Sequence, residues 1–173
     1  MYSLAIGPTT GSGMRQSIYY AKGILAGGNS VTVTFSQAAA SPDIRILEYS
    51  GVDTLNPLDV SIGVSGNASI ADSGPAAISN ANDLIVGANI VNAKNIVAGA
   101  PLTARVFTST NSNIVEDRVV NVAASYNAWT PLISAAPWVM QMVAFKAAVS
   151  SSNPAPTVGL ITPTTVQRRV GRR

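Results

Sequence analysis

The clearest alternation of apolar and polar side chains lies at Ser30–Ser36, where two valines and a phenylalanine alternate with two threonines. Successive side chains of a strand point to opposite faces, so this pattern puts one face in a core and the other in water. Threonine, valine and phenylalanine also fit a pleated, half-buried surface. The pattern predicts a β-strand over residues 30–36.

A denser apolar run occupies Ile44–Tyr49, which contains two isoleucines, a leucine and a tyrosine. Pro42 stands just before it and Ser50-Gly51 just after it, and residues of these types commonly bound strands. We therefore predict that this run is a strand at the centre of a sandwich core.

The other apolar runs are short and are separated by turn residues. We predict further strands at Tyr2–Ile6, Met14–Ala21, Val60–Val64, Ala68–Ala71, Asp83–Val91, Leu102–Thr108, Glu116–Ala124 and Trp138–Ala147. About ten short strands without a convincing helical period indicate an all-β protein. The expected form is a two-sheet antiparallel β-sandwich of jelly-roll type.

The composition removes several kinds of chemistry. The chain of 173 residues has no cysteine and no histidine, which excludes disulfides, thiolate catalysis, Ser-His-Asp hydrolysis and histidine-ligated zinc. Only 11% of its residues are charged, against about 25% in an ordinary domain. Hydroxyl and amide side chains must therefore make the chain soluble, and such a composition is typical of a surface-exposed β module.

The net charge of +3 comes from the end of the chain, where four arginines stand in the last six positions. Residues 1–167 carry seven basic and eight acidic side chains. Without a basic face on the body, nucleic-acid binding is not expected. No uninterrupted apolar run approaches the length that spans a bilayer, so we expect no membrane span.

The composition changes after Ala148. We predict a β-sandwich domain over residues 1–148 and a Ser/Pro linker over 149–156, where the prolines favour extended backbone. Residues 157–173 are expected to hold the start of another repeat and a disordered basic tail.

The order DIRILEYSGVDTLNPLDV, ANDLIVGA, EDRVV and PWVMQMVAFKA resembles a β-sandwich domain of large bacterial secreted or cell-surface proteins. In those proteins immunoglobulin-like repeats of the IPT/TIG kind often follow, and Pro154–Thr165 is similar to the opening of such a repeat. The resemblance implies an extracellular or cell-surface location and an adhesive, carbohydrate-binding or spacer role. It carries no motif of known chemistry and therefore implies no catalytic residue.

The resemblance also implies that strands upstream of the chain are missing. A sandwich without its first strands leaves sheet edges uncovered. We therefore expect a homo-oligomer formed through exposed strand edges. A glycan or another surface protein is the other expected partner.

Glu48 and Glu116 are the only glutamates, and each lies on or beside a predicted strand. Glycosidases need two carboxyl groups about 5–10 Å apart, so this pair is the best candidate for catalysis. The alternative is that both glutamates form structural ion pairs with Arg45, Arg105 or Arg118.

Trp129 and Tyr126 are the candidates for a ligand-binding platform, because each combines an apolar face with a polar tip. The residues Asp53–Asp59 and Asn80–Asp83 offer oxygens of the kind that calcium binds. Capping of turns is their more ordinary role, so we predict neither a metal site nor a cofactor.

The function expected from the sequence is thus a non-catalytic extracellular β-sandwich module for adhesion, glycan contact or structural spacing. The alternative is a small glycoside hydrolase or related hydrolase that uses Glu48 and Glu116.

Overall fold

A computed structural model describes residues 1–28, 30–108 and 112–148, together with the backbone of Val158–Gly159. The protein is all-β, and no helix occurs in these residues. The strands are β1 (Ser3–Gly11), β2 (Met14–Tyr20), β3 (Glu48–Tyr49), β4 (Leu58–Asp72), β5 (Ala76–Ala77), β6 (Leu84–Val91), β7 (Thr103–Phe107), β8 (Ile114–Val119), β9 (Ser125–Tyr126), β10 (Trp129–Phe145) and β11 (Val158–Gly159).

The main element is an antiparallel sheet of five strands in the order β4-β10-β6-β8-β7. The strands β1 and β2 form a separate antiparallel hairpin. Two short pairs, β3 with β11 and β5 with β9, complete the strand pairing in the described residues. Because β10 lies between β4 and β6, it is covered on both edges and carries much of the core.

Each face of the five-stranded sheet buries its own apolar cluster. The first cluster includes Ile85, Val91, Trp138, Met140, Met142 and Ala144. The second is built on Leu84, Val86, Ala88 and Val115. Alternate residues of β6 and β10 point to opposite faces, as the two-residue period of a strand requires.

The β1–β2 hairpin lies over the face of the second cluster. Its Gln16 side chain donates to the Ala88 carbonyl at 2.8 Å, and the Gln141 amide of β10 donates to Thr9 Oγ1 at 2.8 Å. The hairpin and the sheet therefore form two layers, an arrangement consistent with a β-sandwich.

Several strand predictions are confirmed. The strand predicted at Asp83–Val91 corresponds to β6, and the strand predicted at Leu102–Thr108 corresponds to β7. The strand predicted at Glu116–Ala124 is confirmed only in part, because β8 spans Ile114–Val119 and pairs with β7. Trp138–Ala147 is the second half of β10 and is apolar on both faces, as its pattern indicates.

The prediction of a strand at Ser30–Ser36 is wrong. This stretch belongs to no strand, and Val33 and Phe35 are 46% and 49% exposed. The prediction of a core strand over Ile44–Tyr49 is also wrong for most of its length, because only Glu48–Tyr49 pairs. The alternation of apolar and polar residues predicts which side chains would share a face of a strand. It does not determine whether another strand lies beside the segment to form the backbone hydrogen bonds.

Two other strands are longer than predicted. Residues 60–64 and 68–71 belong to one strand, β4, because β10 also pairs with the intervening Ser65, Gly66 and Asn67. The Trp138 ring lies on Gly66, where a Cβ atom would come within 2.5 Å of it. The strand β1 continues to Gly11, beyond the predicted end at Ile6, since it accommodates Gly7-Pro8 at a register shift.

The predicted linker at 149–156 lies outside the described residues. The same holds for the predicted repeat and tail at 157–173, except that Val158–Gly159 forms β11 and pairs with β3.

Candidate functional site

Glu116 is the most unusual of the predicted site residues because its carboxyl group is fully buried. It stands in β8 opposite Gly87 of β6. Its Oε2 accepts a hydrogen bond of 2.9 Å from the Gly99 amide. Its Oε1 has no hydrogen-bond partner among the described residues. A carboxyl group in such a place favours its neutral form.

Burial raises the pKa of Glu116 to about 7, although the backbone amides of Gly99 and Trp129 act in the opposite direction. The group is therefore close to half-ionised near neutral pH. Such a pKa suits a general acid. A general acid must also reach its substrate, and this carboxyl group is closed off from solvent.

Glu48 stands on the other side of the sheet. It lies half-buried in β3, and its neighbour Tyr49 packs on the second apolar cluster. The Tyr49 hydroxyl donates to Asp117 Oδ2 at 2.8 Å, whereas Glu116, the residue before Asp117, points to the opposite face toward Ala128. The five-stranded sheet thus separates the two glutamates, and the structure does not bring them together across a cleft.

The alternative prediction, in which the glutamates form ion pairs with arginines, does not describe Glu116. Arg105 pairs with Asp117, with its Nε–H donating to both carboxylate oxygens at 2.8 and 2.9 Å. Arg45 is 3.7 Å from Asp43, and the Arg118 guanidinium lies 5.5 Å from the centre of the Tyr126 ring. In the described part of the chain, none of the three arginines forms a salt bridge with either glutamate.

The Asp117 group is a structural unit that joins β3 to the sheet. Its carboxylate is buried and receives hydrogen bonds from Tyr49 and Arg105. Burial raises the pKa of the Tyr49 hydroxyl, and the negative charge of Asp117 raises it further. The phenol therefore stays protonated and acts as a donor, which is what the carboxylate requires.

The predicted platform residues lie on the same side as Glu116, but both are partly covered. The Tyr126 hydroxyl donates to the Val122 carbonyl at 2.9 Å, and Arg118 covers one face of its ring. Trp129 is half-buried and packs against the loop at Gly99. The structure therefore gathers Glu116, Tyr126 and Trp129 in one region, with limited ring surface for a ligand to stack on.

A buried polar cluster that the sequence analysis did not identify lies on the same face. The Asn89 side chain donates to Asn95 Oδ1 at 2.8 Å and to Thr130 Oγ1 at 3.1 Å. The Thr130 hydroxyl in turn donates to Asn95 Oδ1. Because these side chains form hydrogen bonds with one another, they join β6 to β10 and to the loop that carries Asn95. The sequence signal was an asparagine inside the apolar run LIVGANIV.

The carboxylates of Asp53–Asp59 and Asn80–Asp83, the two stretches with oxygens of the kind that calcium binds, have different surroundings. The Asp53 carboxylate accepts hydrogen bonds from the amides of Leu55 and Asn56 at 2.7 and 3.1 Å, so it caps a turn as expected. Asp59 and Asp83, by contrast, approach each other closely enough to shift each other's pKa. Within the described ranges, no group of three or more acidic side chains converges on one point.

Fold and site together define an all-β domain whose buried polar groups mainly hold strands in place. No protein-family model matches the chain, and neither a curated protein nor a solved structure matches it. A search of the described residues for a helix of sufficient length and hydropathy to cross a membrane found none.

Proposed function

We propose that this chain is a non-catalytic β-sandwich module, jelly-roll-like in form, that serves adhesion or structural spacing by pairing its strands with a second copy. The resemblance to domains of bacterial secreted or surface proteins supports an extracellular or cell-surface location. The free outer edge of β4 is the observation on which the proposal rests.

The β4 strand is 15 residues long and stands at the end of the five-stranded sheet. It pairs with β10 on one side, and no described strand pairs with its other side. Its sequence has neither lysine nor proline, which natural proteins often place on edge strands to prevent pairing. Its Val64 and Ile70 are exposed as well. The edge therefore offers backbone donors and acceptors beside apolar side chains.

The segment Ser30–Ser36 is the part of the chain best suited to pair with the outer edge of β4. It has the alternation of a half-buried strand, yet Val33 and Phe35 are 46% and 49% exposed in the single chain. Apart from Asn29, the surrounding residues are described, and none of residues 30–36 belongs to a strand. Addition of an extended segment to an open sheet edge is a common mode of protein recognition. Pairing between two copies would give this segment both a partner and a core-like face.

The geometry gives less support to the other candidate roles. A hydrolase using Glu48 and Glu116 requires both carboxyl groups in one cleft, and the sheet lies between them. Glycan contact through Tyr126 and Trp129 requires free ring faces, and both rings are partly covered. A glycan array with a broad glycosidase screen tests both, and turnover that is abolished by Glu116→Gln would refute a non-catalytic role.

Strand pairing is tested by sedimentation-velocity centrifugation over a range of protein concentrations. We expect self-association that is lost when Val33 and Phe35 are both replaced by lysine, since charges on the buried face of a new strand are costly. Leu25→Lys is the matched control, because Leu25 is 86% exposed and lies outside the alternating stretch. A monomer at all concentrations, or equal weakening by the control, would contradict the proposal.

A further inference from the structure

A pair of aspartates lies where three strands of the main sheet come together. Phe145, the last residue of β10, pairs with Leu58 of β4 on one side and with Leu84 of β6 on the other. Asp59 follows Leu58, and Asp83 precedes Leu84. The two carboxylates therefore flank the end of β10, although they are 24 positions apart in the sequence.

A β-bulge orients the first of them. Ala144 pairs with Val60 and Phe145 with Leu58, so Asp59 is the extra residue at a register shift. Bulges commonly turn a side chain away from the regular pleat and occur beside binding sites. The Asp59 carboxylate accepts hydrogen bonds from the Ser79 amide, at 2.8 Å, and from the Ser79 hydroxyl.

The second carboxylate is buried and unsatisfied. Asp83 has no exposed surface, and neither of its oxygens has a hydrogen-bond partner among the described residues. The Asp59 carboxyl group, the Asn80 side chain and the Ala147 amide act on this carboxylate, but none of them forms a hydrogen bond of normal geometry with it. A buried carboxylate is costly without a hydrogen-bond donor or a positive charge beside it, and a bound cation would meet that requirement here.

The negative charge of Asp59 and Asp83 is not neutralised by a salt bridge in the described part of the chain. Burial, and after it the neighbouring Asp59 carboxylate, raise the pKa of Asp83 to about 6. Burial also acts to raise the pKa of Asp59, but the two hydrogen bonds from Ser79 outweigh this effect and lower it. Lys146 is near enough to favour the charged form of Asp59, yet neither aspartate forms a salt bridge in the described part of the chain.

We propose that Asp59 and Asp83 form a calcium-type cation site at the end of the sheet where β4 and β6 begin and β10 ends. Calcium takes oxygen ligands in flexible geometry and completes its shell with water. The two carboxylates supply charge, and the neighbouring residues Ser79 and Asn80 are exposed. With only two carboxylates the expected affinity is in the millimolar class of extracellular modules, about 10⁻⁴–10⁻³ M.

Thermal unfolding of the full chain at pH 7.5 tests the site. After removal of divalent ions with a chelator, 10 mM calcium chloride should raise the unfolding midpoint by about 4 °C, and sodium chloride of equal ionic strength should not. Asp83→Asn and Asp59→Asn should each abolish this shift. Asp53→Asn is the matched control, because Asp53 caps a separate turn, and its variant should keep the shift whatever its own stability.

Calorimetric titration with calcium provides a second measurement if a variant folds poorly. The wild-type chain and Asp53→Asn should release or absorb heat with the same dissociation constant, and Asp83→Asn should not. The absence of a calcium shift in the wild-type chain would overturn the proposal and leave a carboxyl pair that shares a proton. An equal shift in Asp83→Asn would overturn it as well, since calcium would then bind elsewhere.

Discussion

Replacing Glu116 by glutamine tests the claim that a buried, partly ionised carboxyl group weakens this fold at neutral and alkaline pH. Glutamine has nearly the same shape and keeps an oxygen that can accept the 2.9 Å hydrogen bond from Gly99. The substitution removes the titrating group, and its effect should therefore depend on pH in a way that a packing defect would not.

The pKa of Glu116 is raised from 4.5 to about 7 by burial. Because its folded-state pKa is raised, the folded protein binds the proton more tightly than the unfolded chain does. Stability from this group is fully present below pH 4.5, falls as the pH rises toward 7, and is lost above it. A shift of this size corresponds to about 3 kcal/mol in the free energy of unfolding.

Urea denaturation of the wild-type chain and Glu116→Gln at pH 4 and pH 8.5 measures the effect. The difference in unfolding free energy between variant and wild type should move by about 3 kcal/mol in favour of the variant between these values. Comparing the two chains at each pH cancels the other titrating groups, Asp83 among them. Gly28→Ala is the control, because it changes no titrating group and nothing lies within 4 Å of the added atom, and its difference should stay constant within about 0.5 kcal/mol.

An equal difference between Glu116→Gln and wild type at both pH values would show that burial does not raise the pKa of Glu116. A variant that loses stability relative to the wild-type chain between pH 4 and pH 8.5 would contradict the prediction as well, since the surroundings would then stabilise the carboxylate.

Two further substitutions test the packing around the site. A Cβ atom at Gly99 would lie 1.7 Å from the Trp129 carbonyl oxygen, so Gly99→Ala should destabilise the fold by about 3 kcal/mol in urea denaturation. Gly28→Ala, where nothing lies within 4 Å of the added atom, should change stability by less than about 0.5 kcal/mol; equal effects would refute the steric account. Tyr49→Phe removes the hydrogen bond to the buried Asp117 carboxylate and should cost about 1.5 kcal/mol. An unchanged urea midpoint for that variant would show that β3 is not held by this bond.

The sequence alone determined the fold class and the strands that are covered on both sides. Asp83–Val91 and Trp138–Ala147 are apolar at most consecutive positions. A strand that is buried on both faces shows this pattern in its own sequence. The absence of histidine and cysteine excluded several reaction types by composition alone. The sequence further indicated that Asp53–Asp59 would cap a turn, and the Asp53 carboxylate does so.

The tertiary structure decided which of these patterns acquire partners. Ser30–Ser36 has strand alternation but pairs with no strand in the described part of the chain. In contrast, β4 runs through glycines that locally oppose a strand, because β10 pairs along it. The same rule applies to the site: Glu48 and Glu116 lie on opposite faces, and Asp59 and Asp83 lie together at the end of β10. Strand register and the crossing of distant segments are properties of non-local pairing, so no local window of residues could show them.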